Sequence, residues 1–164
     1  MTTLITRRWT MNKRFFLIPS ATMLTSLVVG GACAQNVAKQ VISSPNAPEA
    51  IGPYSQAIKA GKTLYLSGQI AIDPKTKQLT ATASIEDQTR LVLENLKAVL
   101  AADGLTMDSI VSATVFLTDL TDFAKMNEVY ATYFKNTPPA RATVEVAHLP
   151  RSAKVEISAI AVHP

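Results

Sequence analysis

Two consecutive prolines, Pro138 and Pro139, stand directly before Ala140-Arg141-Ala142-Thr143-Val144-Glu145-Val146. The pair fixes φ and withholds two amide donors, so no helix can run through it. The β-branched residues that follow favour an extended chain. Side chains alternate along a strand, so Arg141, Thr143 and Glu145 share one face and Ala142, Val144 and Val146 the other. An arginine at a strand start can aim a planar, permanently charged fork at a carboxylate. It can equally be a solvated strand end, the commoner fate of an arginine. The stretch alone leaves both readings open.

The 164 residues suffice for one domain with a proper core. The net charge of +4 is misleading as a sign of a polyanion partner. Arg7, Arg8, Lys13 and Arg14 account for four of the 16 basic residues, and no acid lies before Gln35. The rest of the chain holds 12 basic and 12 acidic residues, so it carries no electrostatic argument for nucleic acid.

Residues 1–34 read as a secretory signal peptide. Lys13 and Arg14 precede the mostly apolar run from Phe15 to Val29, and Ala32-Cys33-Ala34 offers small residues for cleavage after Ala34. A membrane anchor is the alternative, but the run is shorter than the roughly 20 residues a span needs. Translation can start at Met1 or Met11. The expectation is a periplasmic or secreted domain of residues 35–164, with no stable membrane association. Cys33 is the only cysteine, so that domain has neither disulfide nor thiol chemistry.

Lys39-Gln40-Val41-Ile42 is a short strand candidate, broken by Pro45 and Pro48. After the Gly52-Pro53 turn, a strand is expected from Tyr54 onward. Tyr54 is either half-buried packing or a hydroxyl reaching a site. Ala60-Gly61-Lys62 turns this strand into a second, Thr63 to Ala71, making a hairpin. Gly68 inside it signals a bulge, a close approach or simple packing. Ser84 and Asp87 cap a helix whose apolar face is Ile85, Val92, Leu93, Leu96, Val99 and Leu100, ending near Gly104. Ile110–Leu117 is an inner strand. Phe123, Met126, Tyr130 and Tyr133 mark a second amphipathic helix, with Asn127 one step off its stripe. Val155–Val162 is the last strand. Glu156 within it must face water, a cation or a polar site, because an unpartnered buried acid is costly. Two helices against one mixed sheet make an α+β fold. The second sheet face then needs cover, which self-association would supply.

Chemistry narrows by elimination. The sequence shows no glycine-rich phosphate loop and no nucleophile elbow. His148 and His163 lack zinc-site spacing, and His163, next to the C-terminus, is expected to be solvated. Carboxylates, one arginine, tyrosine and serine remain, an inventory suited to a small anionic substrate and water.

The ordered motifs resemble one family. They are Asn46-Ala47-Pro48, Ile51-Gly52-Pro53-Tyr54-Ser55-Gln56, Ser67-Gly68-Gln69-Ile70, Thr114-Val115-Phe116-Leu117 with Asp119-Leu120, Pro139-Ala140-Arg141, and Val155-Glu156-Ile157 with Ala159-Ile160-Ala161-Val162. Together they are similar to the RidA, or YjgF, family of reactive intermediate deaminases. The resemblance implies a chorismate-mutase-like fold, one mixed six-stranded sheet with two helices on one face. It further implies a homotrimer with sites between subunits, and neither metal nor cofactor. The implied reaction hydrolyses 2-imino acids and enamines (2-iminopropanoate, 2-iminobutanoate, 2-aminoacrylate) to 2-keto acids and ammonia. By the same resemblance, Arg141 holds the substrate carboxylate and Glu156 positions water. Tyr54 is expected to act with Glu156 as a catalytic residue, and Ser67, Gly68 and Asn127 to bind substrate beside Arg141. Departures are Thr143 where some members carry cysteine, His148 where some carry arginine, a shorter loop at Lys135–Pro138, and the leader itself. A non-catalytic carboxylate binder or a chaperone-like trimer is the alternative.

Overall fold

The computed structural model describes residues 37–79 and 82–164. The expected leader, its cleavage point and the two candidate starts lie outside them. Six strands form one sheet: β1 (Lys39–Ile42), β2 (Ala57–Ala60), β3 (Thr63–Gln69), β4 (Ile110–Leu117), β5 (Ala140–Glu145) and β6 (Val155–Val162). Their order is β1-β2-β3-β6-β4-β5. Only β4 and β5 run parallel; every other pair is antiparallel. The expected mixed six-stranded α+β architecture is the one observed.

Two helices, α1 (Ile85–Ala102) and α2 (Phe123–Tyr133), pack against each other, and α1 packs on the sheet. Ser84 caps α1 as expected, accepting a hydrogen bond from the Asp87 amide and donating one to its carboxylate. Asp103 closes the helix and Gly104, at φ +71°, turns the chain away. A left-handed residue at that point strongly favours glycine. All six apolar residues assigned to the α1 stripe are buried. They meet Leu64 and Leu66 of β3, Ala113, Val115 and Leu117 of β4, and Val155, Ile157 and Ala161 of β6. Each large aliphatic side chain so buried contributes about 1.5–3 kcal/mol of transfer free energy.

The alternate residues of the strands point to the face without helices. The register aligns Val41, Ile58, Tyr65 and Ile160 in one row across β1, β2, β3 and β6. Val41 is 63% exposed and Tyr65 51%, a large apolar surface for a single chain to leave open to water.

Two expectations need correction. The strand expected from Tyr54 begins only at Ala57. Pro53 supplies no ladder donor, the Tyr54 amide turns back to the Gly52 carbonyl at 2.8 Å, and residues 51–54 form bends instead. His163 is not solvated. It is half-buried, with Nε2 2.6 Å from Asp103, whose other oxygen accepts from Lys59 Nζ at 3.0 Å. Burial pushes the Asp103 carboxyl up, but the hydrogen bonds from His163 and Lys59 outweigh it and the net shift is downward. Its stabilisation is therefore complete above the ordinary aspartate range and is lost as pH falls through the depressed value. Asp103→Asn is expected to lower the melting temperature at neutral pH. The gap from the parent should close under acid, which thermal melts across a pH series would show.

Candidate functional site

Glu156 enters the site through a defect in the ladder. β3 and β6 pair Leu66 with Ala159 and then Gln69 with Ile157, so Ser67 and Gly68 together oppose one residue. This is the bulge that Gly68 suggested. It shifts the side-chain phase, so Gln69 returns to the buried face. It also leaves room beside Gly68 for the Glu156 side chain. A Cβ added at Gly68 would stand 2.8 Å from Glu156 Cδ and clash with its carboxylate. Glycine is required there by a close approach, not by its φ.

Around this acid lies a cleft of about 310 Å³, with Tyr54, Ser67, Gly68, Gln69, Pro150 and the 48–51 segment among its walls. Ser67 Oγ donates to the Ser55 carbonyl at 2.7 Å, and the Ser67 amide donates to the Gln56 carbonyl at 3.0 Å. Tyr54 Oη accepts from the Ile51 amide at 3.2 Å. The Glu156 carboxylate accepts no hydrogen bond from the described residues. Burial alone raises its pKa above the ordinary glutamate value. A half-buried, unpartnered carboxylate in a cleft is suited to hold water and take its proton.

Residues without an assigned role in the sequence build the walls. Gln56 is buried. Its Oε1 accepts from the Ser44 amide at 2.6 Å, and its Nε2 donates to the carbonyls of Ser44, Ala47 and Pro48 at 3.2, 3.4 and 2.7 Å. One side chain thus ties down the irregular segment that borders the cleft. Asn95 of α1 holds the chain after β3, donating to the Ile70 and Ile72 carbonyls at 3.3 and 3.0 Å. Gln88 of α1 accepts from the Lys154 amide at 3.0 Å, two residues before Glu156. The available signal was a polar residue on the apolar stripe of α1, which burial without a partner would penalise.

Arg141 is elsewhere. It pairs with Ala113, which faces the helices, whereas Glu156 pairs with Phe116 on the open face. The two therefore lie on opposite faces of the sheet. β4 runs between them, and the register separates them by three residues, about 10 Å in each direction. Arg141 Nη2 donates to Asn127 Oδ1 at 2.8 Å. Its guanidinium stands 4.5 Å from the Tyr130 ring centroid and 5.8 Å from that of Phe123. It forms no ion pair among the described residues. Asn127, one step off the stripe, is thus drawn to the arginine. Two further oxygens near this arginine, Tyr130 Oη and Thr143 Oγ1, are buried without a hydrogen-bond partner. Tyr54, Ser67, Gly68 and Glu156 therefore form one half of the expected set, and Arg141 and Asn127 another. Within one chain the halves do not meet. Among the described residues, no group of three or more His, Cys, Asp or Glu side chains is placed to hold a metal ion.

Gly68→Ala tests the first half. The groups in its way belong to a flexible side chain, so the variant should fold with near-parent stability. The carboxylate must move, and a displacement near 1 Å costs about 10²-fold in rate. Circular dichroism and turnover, measured together, separate the two effects.

A six-stranded mixed sheet, helices on one face and an acid-bearing cleft at a bulge on the other define a small α+β protein with a candidate site at that cleft. Residues 44–163 match the family described as Endoribonuclease L-PSP, and the chain belongs to that family, which holds the RidA and YjgF proteins. It is 56% identical to a RutC family protein of Pyrococcus horikoshii over 123 residues, 75% of this chain and 97% of the relative. It is 46% identical to the mouse 2-iminobutanoate/2-iminopropanoate deaminase over 127 residues, 77% of this chain and 93% of that protein. The crystal structure of Escherichia coli TdcF with bound serine superposes with a TM-score of 0.73 at 46% identity, covering 76% of this chain and 99% of that one.

Proposed function

We propose that the protein hydrolyses 2-imino acids and their enamine tautomers to 2-keto acids and ammonia, without a cofactor, in sites shared by neighbouring copies of a homotrimer. The observation that carries this reading is the desolvated, unpartnered Glu156 carboxylate packed over Gly68 in a cleft. The mouse relative named as an imino-acid deaminase supports the substrate class.

Glu156 holds a water molecule against the imine carbon. A C–O bond forms, the water proton passes to Glu156, and the C=N π pair moves to nitrogen. Glu156 then passes that proton to the carbinolamine nitrogen. The C–N bond breaks with its electron pair leaving on ammonia, while the hydroxyl oxygen forms C=O and its proton passes to the Glu156 carboxylate and from there to solvent. A protonated imine is already electrophilic, so alignment is the main task. Arg141 of a neighbouring copy clamps the carboxylate with its free N–H groups, assisted by Asn127. Tyr54, Ser67 and Gly68 border the reacting atoms. The open apolar row through Val41, Ile58, Tyr65 and Ile160 supports association of this face with other copies.

The family's description as an endoribonuclease has less support here, since residues 35–164 are charge-balanced and phosphate binding needs cations. The direct test generates 2-iminopropanoate in place with an amino-acid oxidase and follows its decay. Acceleration by the protein supports the proposal; carboxylate binding without acceleration means a binding module instead. We also propose that residues 1–34 direct export, with the processed chain expected in a periplasmic fraction. An unprocessed chain in the membrane fraction would mean an anchor.

A further inference from the structure

We infer that Tyr130 is a positioning residue for Arg141, its ring face fixing the guanidinium for an anionic ligand. This rests on the reading of Arg141 as the carboxylate clamp. Phe123, Asn127 and Tyr130 are spaced i, i+4 and i+7 along α2 and so form one stripe. That stripe presents ring, amide and ring to a single arginine on β5. Tyr130 is the fixed member. It is 5% exposed, and its ring lies 4.5 Å from that of Phe134, centroid to centroid. The core holds the tyrosine, and the tyrosine holds the arginine.

The choice of partners has a chemical consequence. A carboxylate could orient Arg141 equally well, but it would cancel the charge and occupy the N–H fork. A ring face and an amide oxygen orient the group and leave it cationic. Asn127 uses one of five N–H donors, so the fork stays available to an anion. A long side chain held in advance loses less freedom when ligand binds, which strengthens binding. The Tyr130 hydroxyl lies close enough to the Arg141 guanidinium to feel its charge but in no hydrogen-bond geometry; burial outweighs that pull and raises its pKa, so the hydroxyl stays neutral. The ring face, 4.5 Å from the guanidinium, is the assigned support, and Tyr130→Phe separates it from the hydroxyl.

The test uses three kinds of variant of the full protein. Tyr130→Phe keeps the face and should leave KM for 2-iminopropanoate within about twofold. Tyr130→Met keeps bulk without a face and should raise KM about tenfold with kcat nearly unchanged. Progressively fluorinated phenylalanines at position 130 weaken the ring quadrupole at nearly constant shape, and KM should climb along the series. The second readout is the NMR order parameter of the Arg141 Nε–H. It should be kept in Tyr130→Phe and should fall in Tyr130→Met and along the fluorinated series. This readout needs no turnover, so it decides the matter even if the protein hydrolyses no imine. An unchanged order parameter in Tyr130→Met, a flat fluorination series, or Tyr130→Phe as impaired as Tyr130→Met would each overturn the inference.

Discussion

Glu156→Gln is expected to lower turnover of 2-iminopropanoate by about 10²- to 10⁴-fold, the range for a positioned general base. Glutamine keeps the size and one oxygen, so the side chain still packs beside Gly68 and still touches water. It cannot accept the water proton. KM should change little, because the lost interaction develops only as the C–O bond forms. Stability should hold or rise, since the variant removes a desolvated carboxylate that has no hydrogen-bond partner. The pH profile provides a second signature. Burial raises the Glu156 pKa, and the working form is deprotonated, so the rate should climb with pH through a value above the ordinary glutamate range. That acidic limb should vanish in Glu156→Gln. A full rate with the limb intact would remove Glu156 from the mechanism.

Arg141→Ala is expected to raise KM for the imino acid by about 10²-fold, the worth of one or two charged hydrogen bonds to a carboxylate. The substrate keeps its carboxylate through the reaction, so kcat should fall less than kcat/KM. Arg141→Lys should recover only part of the loss, because an ammonium lacks the planar fork and sits less well on Tyr130. The fold should tolerate both, since Arg141 forms no ion pair within the described chain and β5 is an edge strand. Binding of a small carboxylate, followed by calorimetry, should weaken in parallel with KM.

Much of the fold could be read from short patterns. The Ser84 cap, the six-residue stripe of α1 and the Gly61 hairpin turn were all plain. Tyr54 misled because β propensity describes a pleated, half-buried surface, and Pro53 denies the ladder its donor. His163 misled because proximity to a terminus says nothing of a partner 60 residues away. The site was legible in part for a similar reason. Gly68 signalled a bulge, but only three-dimensional register shows that Glu156 fills the space beside it. Strand alternation put Arg141, Thr143 and Glu145 on one face. That the Glu156 face is the opposite one required the pairings of β4 with both β5 and β6. Gln56, Gln88 and Asn95 carry no motif of their own. Their roles come from carbonyls and amides that irregular backbone would otherwise leave unpaired.

The separation of Arg141 from Glu156 within one chain must be bridged by a second chain, because the proposed chemistry needs both on one substrate. Co-expressing Arg141→Ala and Glu156→Gln chains with different tags, and isolating the assemblies that carry both tags, addresses it directly. At substrate well below the parent KM, each variant alone should be nearly inactive towards 2-iminopropanoate. In each doubly tagged assembly of the proposed trimer, an intact glutamate from one chain meets an intact arginine from the next at about one site in three. Recovery of about that fraction of parent activity is the expected result. A mixture no more active than its separate components would contradict a site shared between subunits.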